Sequence, residues 1–211
     1  MGKLRIARFF IMAFCSFYTS FSIAQDSDKA VWDLVNEEDG IEVYTRTSEL
    51  SNLKEIRIIC TLKASMEHVI NFLSEVQLYK DWAYKCSSSL LLNRVSQNEF
   101  SYYITLDFPF PFNDRDLFVE SKHSIDQTTG VYHSYSVASE NSADQNDEFV
   151  HISEFESSWE ITPQKQGELL VDYKVISNPG GDIPVWLINL VITKGPKETM
   201  KKFIRMVENS M

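Results

Sequence analysis

The chain has 211 residues, of which 44% are hydrophobic, 13% aromatic and 24% charged, with only 7 Gly and 6 Pro. This is the composition of an ordinary globular protein, and it excludes collagen-like and intrinsically disordered chains. The formal net charge of −10 opposes binding to nucleic acid phosphates and to anionic bilayer surfaces, because like charges repel. We therefore expect no nucleic acid partner.

The first 24 residues have the features of a secretory signal peptide. Basic residues precede an apolar run, and the small residues Ser22 and Ala24 stand three and one positions before Gln25. The pattern predicts cleavage near Ala24/Gln25 and an exported protein, periplasmic or secreted, with its domain at 25–211. An uncleaved membrane anchor is the alternative, although several Ser and Thr residues make the run polar for a span of ~20 residues. Cleavage would remove three basic and no acidic residues, which changes the net charge from −10 to −13.

The next segments predict a helix, a hairpin and a second helix. SDKAVWDLVNEEDG begins with a Ser27 cap and ends at Gly40, which favours a short helix. IEVYTRT and EIRIICTLK alternate between apolar and polar residues, as strands do. SMEHVINFLSEVQLY opens with a Ser65 cap and has apolar residues at helical spacing.

The remainder of the chain predicts a run of strands followed by one long helix. Polar turns separate the strand-like segments, and short connections favour antiparallel neighbours. From Ile183 onward an amphipathic helix is expected, strained or kinked near Gly195 and Pro196. The fold class is therefore α+β, with a single curved antiparallel sheet wrapped around the C-terminal helix. The strand-like segments are SSSLLLNRVS, EFSYYITLDF, DLFVESKHSID, VYHSYSVAS, FVHISEFESSWEITP and ELLVDYKVIS.

Residue types that carry catalysis or metal binding form no known motif. Cys60 and Cys86 lie in strand-like runs, where two buried thiols are favoured over a disulfide bridge. The histidines lack metal-ligand spacing, although His123 and His133 could approach one another across a hairpin. The chain has no GxSxG, CxxC or Gly-rich phosphate loop. We expect no cofactor, no metal and no catalytic residues.

Five segments carry a resemblance to a known family: WDLVNEEDGIEVYTR, YKDWAYKC, FPFPFNDRDLFV, SSWEITP followed by LLVDYKV, and PGGDIPVWLIN. Together they resemble the START lipid-transfer domain over nearly all of residues 29–207. The resemblance implies a helix-grip fold, in which a nine-stranded antiparallel sheet grips the C-terminal helix around an apolar tunnel for one lipid-like molecule. It also implies an entrance at residues 108–114 and 184–190.

Strand periodicity and the resemblance together suggest roles for single residues. Leu117, Val119, Ser121 and His123 should share the inner face of one strand. Sterol-binding members of the family tend to have an inward arginine where this chain has Ser121, which argues against a sterol ligand. Tyr102, Ser121 and Tyr173 are the candidate polar contacts in an otherwise apolar wall. The candidate ligand-binding residues are Trp82, Tyr102, Phe108, Phe110, Phe112, Leu117, Val119, Ser121, Tyr135, Trp159, Tyr173, Trp186 and Leu190.

Charged residues near the ends of strands are expected to have structural roles. Arg115 and Asp116 should fix the preceding loop through charge-assisted hydrogen bonds. Arg46 should be a solvated or salt-bridged residue. In that loop, we expect Phe110 and Phe112 to pack against the helix near Trp186 and Leu190 when the entrance is closed and to contact a membrane when it is open.

These observations favour a non-enzymatic, exported, monomeric protein that binds one hydrophobic lipid-like ligand, with transfer of the ligand as a further step. Its partners would be the lipid and, transiently, a membrane. The alternative is an enzyme of the same helix-grip superfamily, a cyclase or hydratase, in which His123 or His133 would be the titratable group. A third interpretation is an interaction module with a closed core and no cavity.

Overall fold

The computed structural model describes residues 32–48, 53–139, 148–181 and 183–210, apart from the side chains of residues 185–186 and 188–193. The predicted signal peptide lies outside the described residues. Short 3-10 turns occur at Val76–Leu78 and Lys165–Gly167. The strands and α-helices of the described residues are β1 Asp33–Glu38, β2 Ile41–Thr47, β3 Lys54–Lys63, α1 Met66–Ser74, α2 Tyr79–Trp82, β4 Cys86–Ser96, β5 Glu99–Leu106, β6 Arg115–Ile125, β7 Tyr132–Ala138, β8 Val150–His151, β9 Glu154–Pro163, β10 Glu168–Asn178 and α3 Val185–Asn209.

The strands form one sheet in the order β1-β2-β3-β10-β9-β7-β6-β5-β4, with every neighbouring pair in this path antiparallel. The predicted α+β class and the sheet with its C-terminal helix are thus confirmed. The two-residue strand β8 lies off this path and pairs in parallel with the start of β6. It is an addition to the nine strands that the resemblance implied.

The first element is a strand, so the helix predicted from Ser27 to Gly40 is wrong over the described residues. Glu38 lies opposite Ile41 in the β1–β2 pair, which leaves Asp39 and Gly40 as a two-residue turn. Both turn residues have positive φ, 55° and 74°, which is the requirement of the tight hairpin turn that Asp-Gly favours. The Gly that resembled a helix C-cap is therefore a hairpin residue.

The second predicted helix is confirmed as α1, and its cap has the expected geometry. Ser65 has extended backbone angles, and its hydroxyl accepts a hydrogen bond from the amide of His68 at 3.2 Å. Val69, Phe72 and Leu73 form the buried face of the helix. Such a cap satisfies one of the free amide groups at the helix start, and the apolar face directs α1 onto the core.

Helix α3 runs through Gly195 and Pro196, and aromatic contacts anchor its C-terminal half. The Phe203 ring lies 5.1 Å from Trp159, 5.3 Å from Trp82 and 5.6 Å from Phe72, measured between ring centroids. Gly195 permits close approach, because a Cβ atom there would lie 3.1 Å from the ring of Tyr84. The second half of α3 is therefore fixed in the core.

The thiols of Cys60 and Cys86 are free and buried. Burial raises the pKa of each thiol to about 12, so both remain protonated and unreactive near neutral pH. None of the helices in the described part of the chain combines the length and the apolar character that crossing a bilayer requires.

Candidate functional site

A cavity of about 940 Å³ lies between the inner face of the sheet and helices α2 and α3. Aliphatic and aromatic side chains supply most of its wall. Its volume is at the upper end of the ~300–1,000 Å³ that is usual for small-molecule sites. The cavity contradicts the interpretation as a module with a closed core. Its apolar lining includes Ile56, Trp82, Ile104, Leu117, Phe155, Trp159, Val175 and Leu187.

A row of serines crosses the sheet inside this apolar wall. Ser121 of β6 lies opposite Ser136 of β7, which lies opposite Ser157 of β9. Ser134 lies two residues from Ser136 on the same face of β7. All four serines line the cavity, and each is at most 7% exposed. We call Ser121, Ser134, Ser136 and Ser157 the serine row.

His123 connects to the serine row through a chain of hydrogen bonds. Its Nε2 lies 2.9 Å from the hydroxyl of Ser121, which lies 2.8 Å from the hydroxyl of Ser136. Its Nδ1 lies 2.7 Å from the hydroxyl of Tyr132. Burial, together with the positive charge of Arg94, lowers the pKa of His123 to about 4. The imidazole is therefore neutral near pH 7, as a group with two hydroxyl partners can be.

Two tyrosine hydroxyls extend the polar part of the wall. The Tyr102 side chain lies near that of Ser136, and the Tyr173 side chain lies near that of Ser157. Burial is the largest effect on both tyrosines and raises their pKa above the ordinary value. Both hydroxyls thus keep their protons. The wall is uncharged at this level of the cavity.

Arg115 holds together two of the loops beside the cavity. Its guanidinium donates hydrogen bonds to the carbonyl oxygens of Pro179, at 3.2 Å, and Gly180, at 3.3 Å, and also to that of Asn113. It lies 4.0 Å from the centroid of the Phe108 ring. The side chain thus joins the 108–114 loop to the segment that follows β10, which is the structural role predicted from the sequence.

Asp116 acts separately from Arg115. Its carboxylate, which belongs to a residue only 1% exposed, accepts a hydrogen bond from the Tyr103 hydroxyl at 3.3 Å. It also lies 3.0 Å from Nδ1 of His151 in β8. Asp116 therefore fixes the β8 segment beside the start of β6. The predicted salt-bridged position of Arg46 is also confirmed, since its guanidinium lies 2.6 Å from Glu55.

The 108–114 loop places its three phenylalanines in different surroundings. Phe108 lines the cavity, and its amide donates to the Asp114 carboxylate at 2.7 Å. Phe112 is half-buried, whereas Phe110 is 96% exposed. The expectation that Phe110 packs against the helix is therefore wrong in this structure, because the loop turns that side chain outward.

The structure brings about half of the candidate ligand-binding residues into the cavity wall. These residues come from α2, from the loop before β6, and from four strands of the sheet. Two further candidates, Trp186 and Leu190, belong to helix α3, and their side chains are not among those that the structure describes. The candidates that line the cavity are Trp82, Tyr102, Phe108, Leu117, Ser121, Trp159 and Tyr173.

Four candidates lie elsewhere. Tyr135 is 47% exposed on the outer face of β7, because the inward positions of that strand are occupied by Tyr132, Ser134 and Ser136. Val119 is fully buried in a secondary apolar cluster and does not line the cavity. Phe110 and Phe112 also stand outside the lining. These four residues thus lie outside the cavity lining, and their role in ligand binding stays a prediction.

Sequence reasoning missed most of the serine row. Only Ser121 was selected, while Ser134, Ser136 and Ser157 were passed over. A signal was present in β7, where Tyr132, Ser134 and Ser136 share one face at period two. His133 lies on the opposite face from His123, with its Nδ1 3.9 Å from Glu160. The two histidines therefore do not form a pair.

Comparison with known proteins places this geometry in a family. The START domain model matches residues 19–211. An uncharacterized protein of Pseudomonas aeruginosa is 26% identical over 183 residues, which cover 86% of this chain and 89% of that protein. The phosphatidylcholine transfer protein of Bos taurus is 24% identical over 189 residues, covering 85% of each chain. A crystal structure of a STAR-related lipid transfer protein from Xanthomonas axonopodis has a TM-score of 0.76 at 26% identity and covers 84% of this chain and 98% of that one. The chain belongs to the START domain family.

Proposed function

We propose that the protein binds a single lipid-like molecule in the cavity between the sheet and α3, and transfers it between membranes. The observation that carries the proposal is the cavity of about 940 Å³ with its largely apolar wall. Family membership supports it, as do the two relatives named for lipid transfer. The cavity volume suits one such molecule rather than several.

Apolar burial alone would supply the affinity that this function needs. Each Å² of apolar surface removed from water contributes ~25 cal/mol, so a few hundred Å² of buried acyl chain contributes several kcal/mol. A dissociation constant in the micromolar range corresponds to about 8 kcal/mol. The binding step therefore requires no covalent chemistry and no metal.

Native mass spectrometry tests the proposal directly. The protein purified from the envelope of its own cells should carry an added mass of lipid size, because a filled cavity avoids exposing its apolar wall to water. The same protein should take up a fluorescent phospholipid or fatty acid analogue from vesicles. Absence of a bound lipid together with failure to take up either analogue would contradict the proposal.

The 108–114 loop is the proposed contact with the membrane. Phe110 is 96% exposed at the tip of this loop, and the neighbouring Phe108 lines the cavity. The net charge of the protein is negative, so attraction to anionic lipid head groups cannot supply the docking energy. Insertion of an exposed aromatic side chain into the interface can supply it.

Replacement of Phe110 by Asp is expected to slow lipid transfer between vesicles at least several-fold, because a carboxylate does not insert into the interface. The change should cost little stability, since the side chain contacts almost nothing in the fold. Ile125→Asp is the matched control: this residue is also an exposed apolar side chain, 43% exposed, but ends β6 at the strand terminus opposite the loop. Equal transfer rates for the two variants would place the membrane contact elsewhere.

We propose further that the protein is exported and monomeric after removal of residues 1–24. The basic start, the apolar run and the Ser22/Ala24 pair support cleavage before Gln25. Intact mass of material from the cell envelope should correspond to a chain that begins at or near Gln25. Retention of Met1 in protein that sediments with membranes would instead identify an anchored form.

One observation favours a second function, that of an enzyme acting on a hydrophobic substrate: His123 is a titratable group in the cavity wall. Both of its ring nitrogens already contact protein hydroxyls, which suits a structural role. His123→Gln should accordingly leave lipid uptake within a few-fold. Loss of a measurable turnover in a folded His123→Gln protein would support the enzyme.

A further inference from the structure

We infer that the serine row binds an uncharged oxygen group of the ligand, namely a hydroxyl or an ester or ketone carbonyl attached to the apolar chain. The inference rests on the proposed function and specifies which chemistry the cavity selects. It follows from the hydrogen-bonding capacity of the row, from the lack of charge around it and from its depth in the wall.

The hydrogen-bond chain from Tyr132 to Ser136 has more donors than its own contacts can use. Tyr132, Ser121 and Ser136 each have one O–H, and the neutral imidazole of His123 has one N–H. Three contacts join these four groups in a line, and each contact uses one hydrogen. Whichever way the bonds point, one donor is therefore unused within the chain, and the hydroxyls keep free lone pairs.

The position of the row directs this capacity toward the cavity. Ser121 and Ser136 are 3% and 5% exposed, yet both line the cavity, as do Ser134 and Ser157. Ser121 and Ser136 each have a partner in the fold, so what the cavity offers a ligand is their remaining donor or acceptor capacity. With the imidazole proton on Nε2, the unused donor belongs to Ser121 or Ser136, and a ligand oxygen in the cavity can accept from it. In either tautomer a ligand hydroxyl can donate to a free lone pair of the row.

The charged residues of the lining are more exposed to solvent than the buried serines of the row. Lys54, Lys85, Asp107, Lys194 and Lys202 are exposed, and Glu198 is half-buried. The side chains around the row are serines, Tyr102, Tyr173 and the neutral His123. Arg94, whose charge acts on His123, is exposed, donates to the Ser74 carbonyl and does not line the cavity. A carboxylate or phosphate beside the row would therefore lose its hydration without gaining a direct counter-ion, which is far more costly than burying a hydroxyl or carbonyl.

A ligand series with one common oleoyl chain tests the inference on the unmodified protein. Displacement of a fluorescent acyl probe is measured at pH 8 for monoolein, whose polar part is uncharged, for oleate, whose carboxylate is ionised, and for oleoyl lysophosphatidylcholine. Monoolein should bind about tenfold or more tightly than oleate, because only oleate must bury a charge. Equal or tighter binding of oleate would overturn the inference.

Serine variants test whether the row makes the contact. Ser136→Ala and Ser157→Ala should each weaken monoolein binding by about two- to tenfold, the effect of one lost hydrogen bond. Ser158→Ala is the matched control, because Ser158 lies next to Ser157 in β9 but faces the outer side of the sheet. Unchanged monoolein affinity in both inner variants, with the folds intact by circular dichroism, would overturn the inference.

The lysophosphatidylcholine arm identifies the source of the oxygen group. Binding that the inner variants weaken would assign the contact to an ester linkage, with the ionic head group outside the row. No binding, alongside tight binding of monoolein, would assign it to a lipid whose whole polar part is uncharged. If the protein carries lipid but the serines have no effect, only this inference fails; if it binds no lipid at all, the proposed function fails.

Discussion

Replacement of Arg115 by Met is expected to lower the free energy of unfolding by about 3 kcal/mol, because it removes several charge-assisted hydrogen bonds from a buried site. Arg115 is 2% exposed and donates to carbonyl oxygens in both the 108–114 loop and the Pro179–Gly180 segment. Burial lowers its pKa, although a guanidinium keeps its charge in proteins. Met preserves much of the apolar part of the arginine side chain, so the decrease in unfolding free energy would measure the contribution of the lost hydrogen bonds.

Arg46→Met is the matched control for this measurement. Arg46 forms an ion pair with Glu55 at 2.6 Å, but its side chain is 30% exposed, and such pairs contribute at most about 1 kcal/mol. Urea unfolding followed by circular dichroism compares the two variants. A loss for Arg115→Met no greater than that for Arg46→Met would show that the carbonyls find other donors and that Arg115 does not hold the loops.

The sequence predicted the order of the elements well wherever a periodic pattern was long. The periodic patterns of β2, β3, α1 and α3 each extend over many residues. A few exceptional residues therefore do not obscure the period. Neighbouring strands joined by short turns then gave the antiparallel sheet. These features depend on interactions between residues close together in the sequence, so a single sequence is enough to predict them.

The prediction of a helix at β1 was wrong because the Asp39-Gly40 dipeptide is compatible with two different structures. Asp39-Gly40 can end a helix, with Gly in the left-handed region, or close a tight hairpin. Leu34 and Val35 also occur at a spacing that fits a helix, yet both are about half exposed in β1. Pairing with β2 selects the strand, and this pairing cannot be read from the residues of the segment alone.

The cavity wall was harder to predict, because its polarity reverses the usual pattern of a strand. In β7 the inward residues include Ser134 and Ser136, and the outward residues include Tyr135. A rule that turns apolar side chains inward therefore selects the wrong face, since β7 supplies the polar part of a cavity wall rather than a closed core. Which strands line a cavity depends on where α3 lies, and this information is not local.

Acidification below pH 6.5 should weaken the fold through His123. The pKa of His123 is about 4 in the folded protein, against about 6.5 for an unperturbed histidine. Between these values the unfolded chain binds a proton that the folded chain does not, so stability contributed above pH 6.5 is lost as the pH falls. At 1.36 kcal/mol per pKa unit, the loss is of order 2 to 3 kcal/mol by pH 4.5.

Urea unfolding of the wild type and of His123→Gln at pH 7 and pH 4.5 measures this effect, because Gln keeps hydrogen-bonding groups but does not titrate. The drop in unfolding free energy should be smaller in the variant by that amount, since acidic residues such as Glu38 and Asp126, whose pKa values are also lowered in the fold, contribute equally to both proteins. His133→Gln is the matched control, because His133 lies on the opposite face of the sheet from His123. A bound oxygen group at Ser121 would keep the imidazole buried and neutral, so added monoolein should increase the acid sensitivity attributable to His123. Identical pH dependence in the wild type and His123→Gln would mean that water reaches the imidazole, and that the wall beside the serine row is hydrated rather than closed.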